Sequence, residues 1–165
     1  MEIQFTPWRM KYIKSHNAPP SEACVLCTIA QADPANDPQH YLLHRGQHCY
    51  VVLNIYPYNT AHLMIVPYRH TADLPGLDAA SATELFDLTR RSLGYVNAEY
   101  QPHGSNLGMN LGKVAGAGIA EHLHMHIVPR WGGDMNFLPV IGGVKLIPED
   151  LDETYQRLRP YFEQG

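Results

Sequence analysis

The chain has 165 residues and a mass of 18.6 kDa, enough for one domain with a proper hydrophobic core. Its net charge of −4, with the ten histidines neutral, excludes a global basic field that would draw it to nucleic acid. The sequence has no apolar run near the roughly 20 residues of a membrane helix, and its first residues have no signal-peptide core. Three cysteines do not suggest a disulfide framework, so the cytoplasm is the expected location.

The first 70 residues predict an N-terminal arm, a short helix and several antiparallel strands. Residues 1–23 carry aromatic side chains and then a polar stretch with two prolines, which favours an arm rather than a domain. A short helix or turn is expected from Cys24 to Ala30, followed by a loop. Strands are predicted at 41–44, 49–54 and 62–67, with a turn at 56–61.

The rest of the chain predicts one long helix, two further strands and a terminal helix. Leu85, Leu88, Leu93 and Val96 recur near spacings of three and four, which favours a helix over residues 78–100. It is followed by a strand at 104–111, a glycine-rich loop at 113–118, a histidine-containing strand and a helix starting near Pro148. Together these elements predict a single α+β domain over residues 1–165, with an antiparallel sheet, one long helix and a C-terminal helix.

Residues 121–129 read EHLHMHIVP, with a histidine at every second position of the core. Side chains alternate faces on a strand, so His122, His124 and His126 are expected to line one surface. Histidine is a mediocre strand former, and its ring nitrogens need partners, so this pattern is a costly way to build a strand alone. The segment therefore predicts phosphate chemistry or metal binding.

These histidines permit nucleophilic catalysis at phosphorus. A neutral imidazole is a good nucleophile near pH 7, because its pKa of about 6.5 leaves it mostly unprotonated. Attack would give a phosphohistidine-linked nucleotidyl intermediate and divide one difficult substitution into two easier steps. Small residues just before the histidines, among them Gly116 and Gly118, have backbone N–H groups that could line an anion pocket. Asn110 can add a neutral donor from the preceding strand.

Two segments carry a resemblance to a known family: residues 53–70, LNIYPYNTAHLMIVPYRH, and residues 120–137, AEHLHMHIVPRWGGDMNF. They resemble the histidine triad family of nucleotide-binding hydrolases and transferases, and the similarity runs from about Cys24 to Phe137. The resemblance is closest to the branch that contains compact bacterial diadenosine tetraphosphate phosphorylases. It implies a homodimer whose sheets join across the interface.

The resemblance also implies roles for individual residues. It makes His124 the nucleophile on the α-phosphate of a nucleotide. It assigns His126 and His62 to the phosphate environment, Asn54 to the ribose region and Asn110 to the phosphates.

Cys24 and Cys27 form a C-x-x-C pair, which is half of a zinc site. Some triad proteins similar to this chain complete the site with a histidine after the "VP" strand and the first triad histidine, which implies His70 and His122 here. Zinc would then be structural, and the nucleophilic step itself would need no metal. The alternative is a pair of reduced cysteines that pack as small apolar residues.

The function implied by the resemblance is nucleotidyl transfer from a dinucleoside polyphosphate, above all phosphorolysis of diadenosine tetraphosphate to ATP and ADP. Two enzymatic alternatives are hydrolysis of dinucleoside polyphosphates and hydrolysis of nucleoside phosphoramidates. His126 does not decide between phosphate and water as acceptor, because both hydrolases and compact phosphorylases of the family keep a histidine there. A nucleotide-binding protein with vestigial activity is the alternative from another class. Neither a nucleic acid nor a membrane is an expected partner.

Overall fold

A five-stranded antiparallel sheet organises the part of the chain that the computed structural model describes, residues 23–134 and 149–163. The predicted arm, residues 1–23, lies outside these ranges except for its last residue, and the single-domain organisation stays a prediction. In chain order the elements are α1 Val25–Gln31, a 3-10 helix Pro34–His40, β1 Leu42–Arg45, β2 Cys49–Leu53, β3 Leu63–Pro67, α2 Ala79–Tyr100, β4 Gly104–Gly108, a 3-10 turn Lys113–Ala115, β5 Met125–Arg130 and α3 Leu151–Glu163. The α+β class predicted from the sequence is confirmed.

The strand order β1-β2-β3-β5-β4 places β5 between β3 and β4. Every neighbouring pair is antiparallel. The register puts His126 of β5 opposite Met64 of β3 on one side and opposite Gly108 of β4 on the other. The last triad histidine therefore lies inside the sheet, beside the strand that follows His62 and the strand that leads to Asn110.

Strand β2 is covered on both of its faces, which explains why its sequence is apolar throughout. All five of its residues are buried. Val51 and Leu53 pack in the larger core with α2, α3 and Ile127, whereas Tyr50 and Val52 pack in a second core with Leu26 of α1. Successive side chains of a strand point to opposite faces, so a strand covered on both sides needs apolar residues at every position.

Helix α2 is tied to the turn between β1 and β2. Its N-cap, Asp78, accepts a hydrogen bond from the backbone N–H of Ser81 at 2.9 Å. The carboxylate of Glu84 accepts backbone N–H bonds from Gln47, His48 and Cys49. One side chain thus satisfies two backbone donors of the turn and one at the start of β2, which ties the helix to this end of the sheet.

The structure corrects three expectations about element boundaries. The histidine strand begins only at Met125, so His122 and His124 precede β5 instead of lying on it. Strand β4 ends at Gly108 rather than at residue 111. The segment expected to be a loop after α1 forms the 3-10 helix Pro34–His40, which Asp33 caps through the Ala35 N–H. The predicted start of the last helix near Pro148 lies outside the described residues. None of the helices in the described ranges is both long and apolar enough to span a membrane.

Candidate active site

His62 precedes β3 at the end of a turn with an unusual backbone. Ala61 adopts φ +56°, a left-handed conformation that costs an L residue roughly 1–2 kcal/mol. The turn is closed by the Asn54 N–H, which donates to the His62 carbonyl at 2.9 Å. The side chain of Asn54 accepts from the Tyr56 N–H at 2.9 Å, and its amide nitrogen lies 3.3 Å from Nδ1 of His62. The structure thus brings the predicted residues Asn54 and His62 together.

Hydrogen bonds fix which ring nitrogens of His62 and His126 carry protons. The Tyr58 N–H donates to Nδ1 of His62 at 3.0 Å, and Nε2 of His62 lies 2.9 Å from Nδ1 of His126. A neutral imidazole carries one N–H, so Nε2 of His62 donates and Nδ1 of His126 accepts. The proton of a neutral His126 is therefore on Nε2, where it can be donated to a substrate.

His124 has the opposite arrangement. Its Nδ1 lies 2.8 Å from the carbonyl oxygen of His122, and only a protonated nitrogen can donate to that oxygen. In the neutral ring Nε2 is then unprotonated, which is the form a nucleophile needs. The ring centroids of His124 and His126 are 4.8 Å apart. A nucleophilic lone pair and an N–H donor therefore belong to adjacent rings.

All three rings are buried, and burial keeps His126 uncharged. His62, His124 and His126 are 1%, 6% and 9% exposed. Burial, with a smaller effect of His124, lowers the pKa of His126 to about 4. His126 is consequently neutral across the physiological range, so its donor function does not depend on a positive charge. The ring centroid of the partly exposed Tyr58 lies 4.9 Å from that of His62 and 6.1 Å from that of His126.

Asn110 and the glycine-rich loop contact each other after β4. The amide nitrogen of Asn110 lies 3.5 Å from the carbonyl oxygen of Gly116. The backbone of Gly116 adopts φ +92°. The Gly116 N–H donates to the Lys113 carbonyl at 3.0 Å, so this conformation already uses that donor. The pairing of Gly108 with His126 brings the chain that leads to Asn110 beside the histidines. Phosphate contacts of Asn110, Gly116 and Gly118 stay a prediction.

The four predicted metal ligands lie together in one group. One ligand atom from each of Cys24, Cys27, His70 and His122 lies within 4.8 Å of the others. Nδ1 of His122 is 3.4 Å from the sulfur of Cys24 and 3.5 Å from that of Cys27. Nδ1 of His70 is 3.3 Å from the Cys27 sulfur. The expectation that His122 would share a surface with the other two triad histidines is wrong, because its ring points to the cysteines.

The donor set fits a tetrahedral zinc ion. Zn–S and Zn–N bonds of about 2.3 and 2.0–2.1 Å put the sulfur and nitrogen ligands of a tetrahedron roughly 3.6 Å apart, close to the sulfur–nitrogen distances found here. Nε2 of His122 donates to the Pro67 carbonyl at 2.8 Å, which leaves the Nδ1 lone pair toward the cysteines. Burial lowers the pKa of His122, which favours the neutral imidazole that a metal needs.

Several contributors to the site were not found from the sequence. The Tyr58 N–H sets the proton on His62, yet a backbone donor leaves no signal in residue type. Asn59, assigned only to a turn, donates from Nδ2 to the Pro129 carbonyl and to the Asp134 carboxylate, at 2.9 Å each. The sequence feature that could have indicated this contact is Asp134, a carboxylate in the segment that follows the triad.

A family model described as the HIT domain matches residues 36–133. The chain belongs to the histidine triad (HIT) family. It is 41% identical over 157 residues to a Mycobacterium tuberculosis protein named AP-4-A phosphorylase, covering 93% of this chain and 80% of that protein. It is 29% identical over 84 residues to an asymmetrical bis(5'-nucleosyl)-tetraphosphatase of Schizosaccharomyces pombe, covering 51% of this chain and 46% of that protein. A crystal structure of a Zn-bound histidine triad family protein from Mycobacterium smegmatis shares the HIT fold, with TM-score 0.67 and 24% identity over 86% of this chain and 94% of that one.

Proposed function

We propose that this HIT protein transfers a nucleotidyl group from a dinucleoside polyphosphate through His124, with inorganic phosphate as the favoured acceptor and diadenosine tetraphosphate as the substrate. The observation that carries the proposal is the hydrogen bond from Nδ1 of His124 to the His122 carbonyl, which leaves Nε2 as a lone pair. The AP-4-A phosphorylase relative, at 41% identity, supports the substrate.

In the first step Nε2 of His124 attacks the α-phosphorus of the bound nucleotide. A P–N bond forms and the P–O bond to the leaving group breaks, so diadenosine tetraphosphate releases ATP and leaves AMP on His124. The N–H of His126 donates to the phosphoryl group, where negative charge increases in the transition state. Because His126 stays neutral, it acts here as a hydrogen-bond donor.

In the second step an oxygen of inorganic phosphate attacks the same phosphorus, and the P–N bond breaks. The product is ADP, and His124 regains its lone pair at Nε2. Asn54 contacts the ribose and Asn110 contacts the phosphates in this proposal. Support for the first is the position of Asn54 beside His62, and for the second the register that brings β4 against His126.

Hydrolysis is the second candidate, and the Schizosaccharomyces pombe tetraphosphatase relative favours it. Water would then replace phosphate in the second step and release AMP. The choice depends on whether the closed site excludes water and holds a second anion.

Zinc is part of the proposal as a structural ion. Cys24, Cys27, His70 and His122 would hold it, and it would supply a fixed cross-link between α1, the segment after β3 and the start of the histidine segment. The supporting observations are the sulfur–nitrogen distances and the Pro67 bond to His122. Two thiolate ligands suit a reducing compartment, which agrees with the predicted cytoplasmic location.

We further propose a homodimer joined along β4. This strand ends the sheet, and among the described residues no strand pairs with its outer side. Leu107 and Leu111 are about half exposed, and Val114 is fully exposed, next to this edge. Such an edge favours addition of a second strand. Light scattering at assay concentration should give two chains per particle, whereas a monomer that retains turnover would contradict the dimer.

The test of the function is product analysis on diadenosine tetraphosphate, with and without phosphate, for the zinc-loaded wild type and His124→Ala. ADP and ATP formed only with phosphate, and only by the wild type, is the expected result. AMP and ATP formed regardless of phosphate would replace the proposal by hydrolysis. Turnover by His124→Ala equal to that of the wild type would exclude His124 as the nucleophile.

If the wild type turns over no dinucleoside polyphosphate, the assay is repeated with an adenosine phosphoramidate. Turnover of that substrate would assign the phosphoramidase alternative. Binding without any turnover would assign the nucleotide-binding alternative.

A further inference from the structure

The turn before His62 is joined to the end of β5 by one of its own residues, Asn59. Asn59 is 4% exposed. Its Nδ2 donates to the Pro129 carbonyl and to Oδ2 of Asp134, both at 2.9 Å. These bonds fix the position of the turn, which contains the left-handed Ala61 and so needs support from its surroundings.

Asp134 is the centre of this contact. Its carboxylate accepts from Nε and Nη2 of Arg130 at 2.6 and 3.0 Å, from the Trp131 N–H at 3.3 Å and from Asn59. The Asp134 side chain is 10% exposed, and Arg130 also donates from Nη1 to Asn106 of β4 at 3.0 Å. The carboxylate therefore joins the end of β5, strand β4 and the turn of Asn59.

Asn59 directly follows Tyr58, whose N–H donates to Nδ1 of His62. A turn fixed at Asn59 keeps this N–H pointing at the ring. As long as Nδ1 of His62 accepts there, its proton must be on Nε2, and the next ring, His126, must carry its proton on Nε2 as well.

We propose that Asp134 and Asn59 are positioning residues that fix the protonated nitrogens of His62 and His126 by holding the Tyr58 N–H against His62. The consequence for turnover rests on the proposed function, whereas the effect on the two rings does not.

Loss of this contact reverses the order of protons. If the Tyr58 N–H moves away, the longer contact of the Asn54 amide remains at Nδ1, at 3.3 Å. A fraction of the His62 rings can then carry the proton on Nδ1 and present the Nε2 lone pair to His126. His126 must then hold its own proton on Nδ1, so its Nε2 faces the phosphoryl group as a lone pair. A donor is replaced by an acceptor beside an anion, which slows the chemical step more than it weakens substrate binding.

The direct test is ¹⁵N NMR of the histidine rings in the zinc-loaded full chain, comparing wild type with Asp134→Ala and Asn59→Ala. In the wild type we expect both His62 and His126 to be protonated at Nε2. In each variant we expect mixed protonation at both rings. Removal of one transition-state donor costs roughly 10²–10³-fold in kcat, so partial loss should cost about tenfold, with KM changed by less than about twofold.

The matched control is Asp87→Asn. Asp87 forms an ion pair with Arg90 on α2, an exposed arginine–aspartate pair of the same chemistry. Asp87→Asn should leave the protonation of the His62 and His126 rings and the value of kcat unchanged. Asp134→Asn keeps the shape of the side chain and serves as the milder variant if Asp134→Ala does not fold.

A double-mutant cycle decides whether the two residues act together. Asn59→Ala and Asp134→Ala combined should change kcat no more than either alone, because each removes the same support from the turn. Wild-type ring protonation in both variants would overturn the proposal, whatever the effect on stability. If the wild type cleaves no dinucleoside polyphosphate, the proposed function fails, and the NMR comparison still decides the role of Asp134.

Discussion

His122 of the candidate metal group and His124 of the candidate active site are two residues apart in sequence, and they use opposite ring nitrogens. In the candidate metal group, His122 donates from Nε2 to the Pro67 carbonyl and presents Nδ1 to two sulfurs. In the candidate active site, His124 donates from Nδ1 to the His122 carbonyl and presents Nε2. The residue type is the same, and the nearby backbone carbonyl decides which nitrogen is free for chemistry.

The comparison also shows that the two groups share one residue. His122 contributes its ring to the metal group and its carbonyl oxygen to the nucleophile. The proposed zinc cross-link at this position would therefore fix the atom that orients His124, and the nucleophilic step itself would need no metal. Substitutions that remove the ring of His122 but keep its backbone carbonyl can test whether the two parts of the residue have these separate roles.

The largest expected effect follows from replacing the nucleophile. His124→Gln keeps an amide donor near the His122 carbonyl but has no basic nitrogen that could attack phosphorus, so kcat should fall at least about 10⁴-fold. Zinc content should remain that of the wild type. Rapid-quench and mass analysis should show a nucleotidylated chain for the wild type and none for the variant. A nucleotidylated His124→Gln chain would place the nucleophile elsewhere.

The next effect concerns stability against acid and belongs to the active-site group. The pKa of His126 is about 4 in the folded protein and about 6.5 when unfolded, so the unfolded state binds more protons below pH 6.5. The stability that depends on neutral His126 is complete above pH 6.5 and is lost as pH falls toward 4. Between pH 7.5 and 4.5 this amounts to roughly 2–3 kcal/mol.

The measurement is chemical unfolding of wild type and His126→Gln at several pH values. Glutamine does not titrate, so the wild type should lose more free energy of unfolding than the variant. Zinc, if bound, would be released in acid from both proteins, so its contribution would cancel in the difference. Equal losses would mean that His126 is not held neutral by the fold.

The third effect belongs to the metal group. Zinc at about 100 times its dissociation constant should add about 2.7 kcal/mol to the free energy of unfolding, which raises Tm by roughly 5–11 °C. Thermal unfolding with zinc and with a chelator measures it. Cys24→Ser should remove the zinc response, whereas Cys49→Ser, a change at a buried thiol outside the group, should keep it. An equal zinc response in the wild type and Cys24→Ser would reject the site.

Sequence patterns predicted the elements but not all of their limits. The periodicity of Leu85, Leu88 and Val96 predicted α2 to within one residue, because a long helix must bury one face. The alternation of His122, His124 and His126 predicted a strand that includes all three histidines. The observed strand begins later, at Met125. Pairing decides strand limits, and β3, the partner, ends its contact with β5 at the Ile65–Met125 pair.

The candidate site divides in the same way. Spacing and resemblance named the three candidate active-site histidines and the four candidate metal ligands, because their residue types are the ones that the proposed chemistry needs. The contact of Asn59 with Asp134 joins residues 75 positions apart and leaves no local pattern. The choice of ring nitrogen depends on the Tyr58 N–H and the Pro67 and His122 carbonyls, which every sequence has at those positions.

The smallest expected effect is that of His122→Cys, which replaces the ring of His122 and keeps its backbone carbonyl. His122→Cys supplies a third thiolate, and three cysteines with one histidine form a common structural zinc set. The carbonyl at position 122 remains, so Nδ1 of His124 keeps its acceptor. We expect one zinc per chain and a kcat within about fivefold of the wild type, equal to about 1 kcal/mol.

His122→Ala is the control, because it keeps the carbonyl and removes the metal ligand. It should lose zinc affinity and thermal stability, measured by metal analysis and Tm. His122→Cys should have a zinc content and a Tm closer to those of the wild type. If His122→Cys bound zinc and still turned over as slowly as His124→Gln, the imidazole of His122 would act on the substrate. The two groups would then form one active site. The ring nitrogen that each histidine presents would no longer distinguish a structural histidine from a catalytic one.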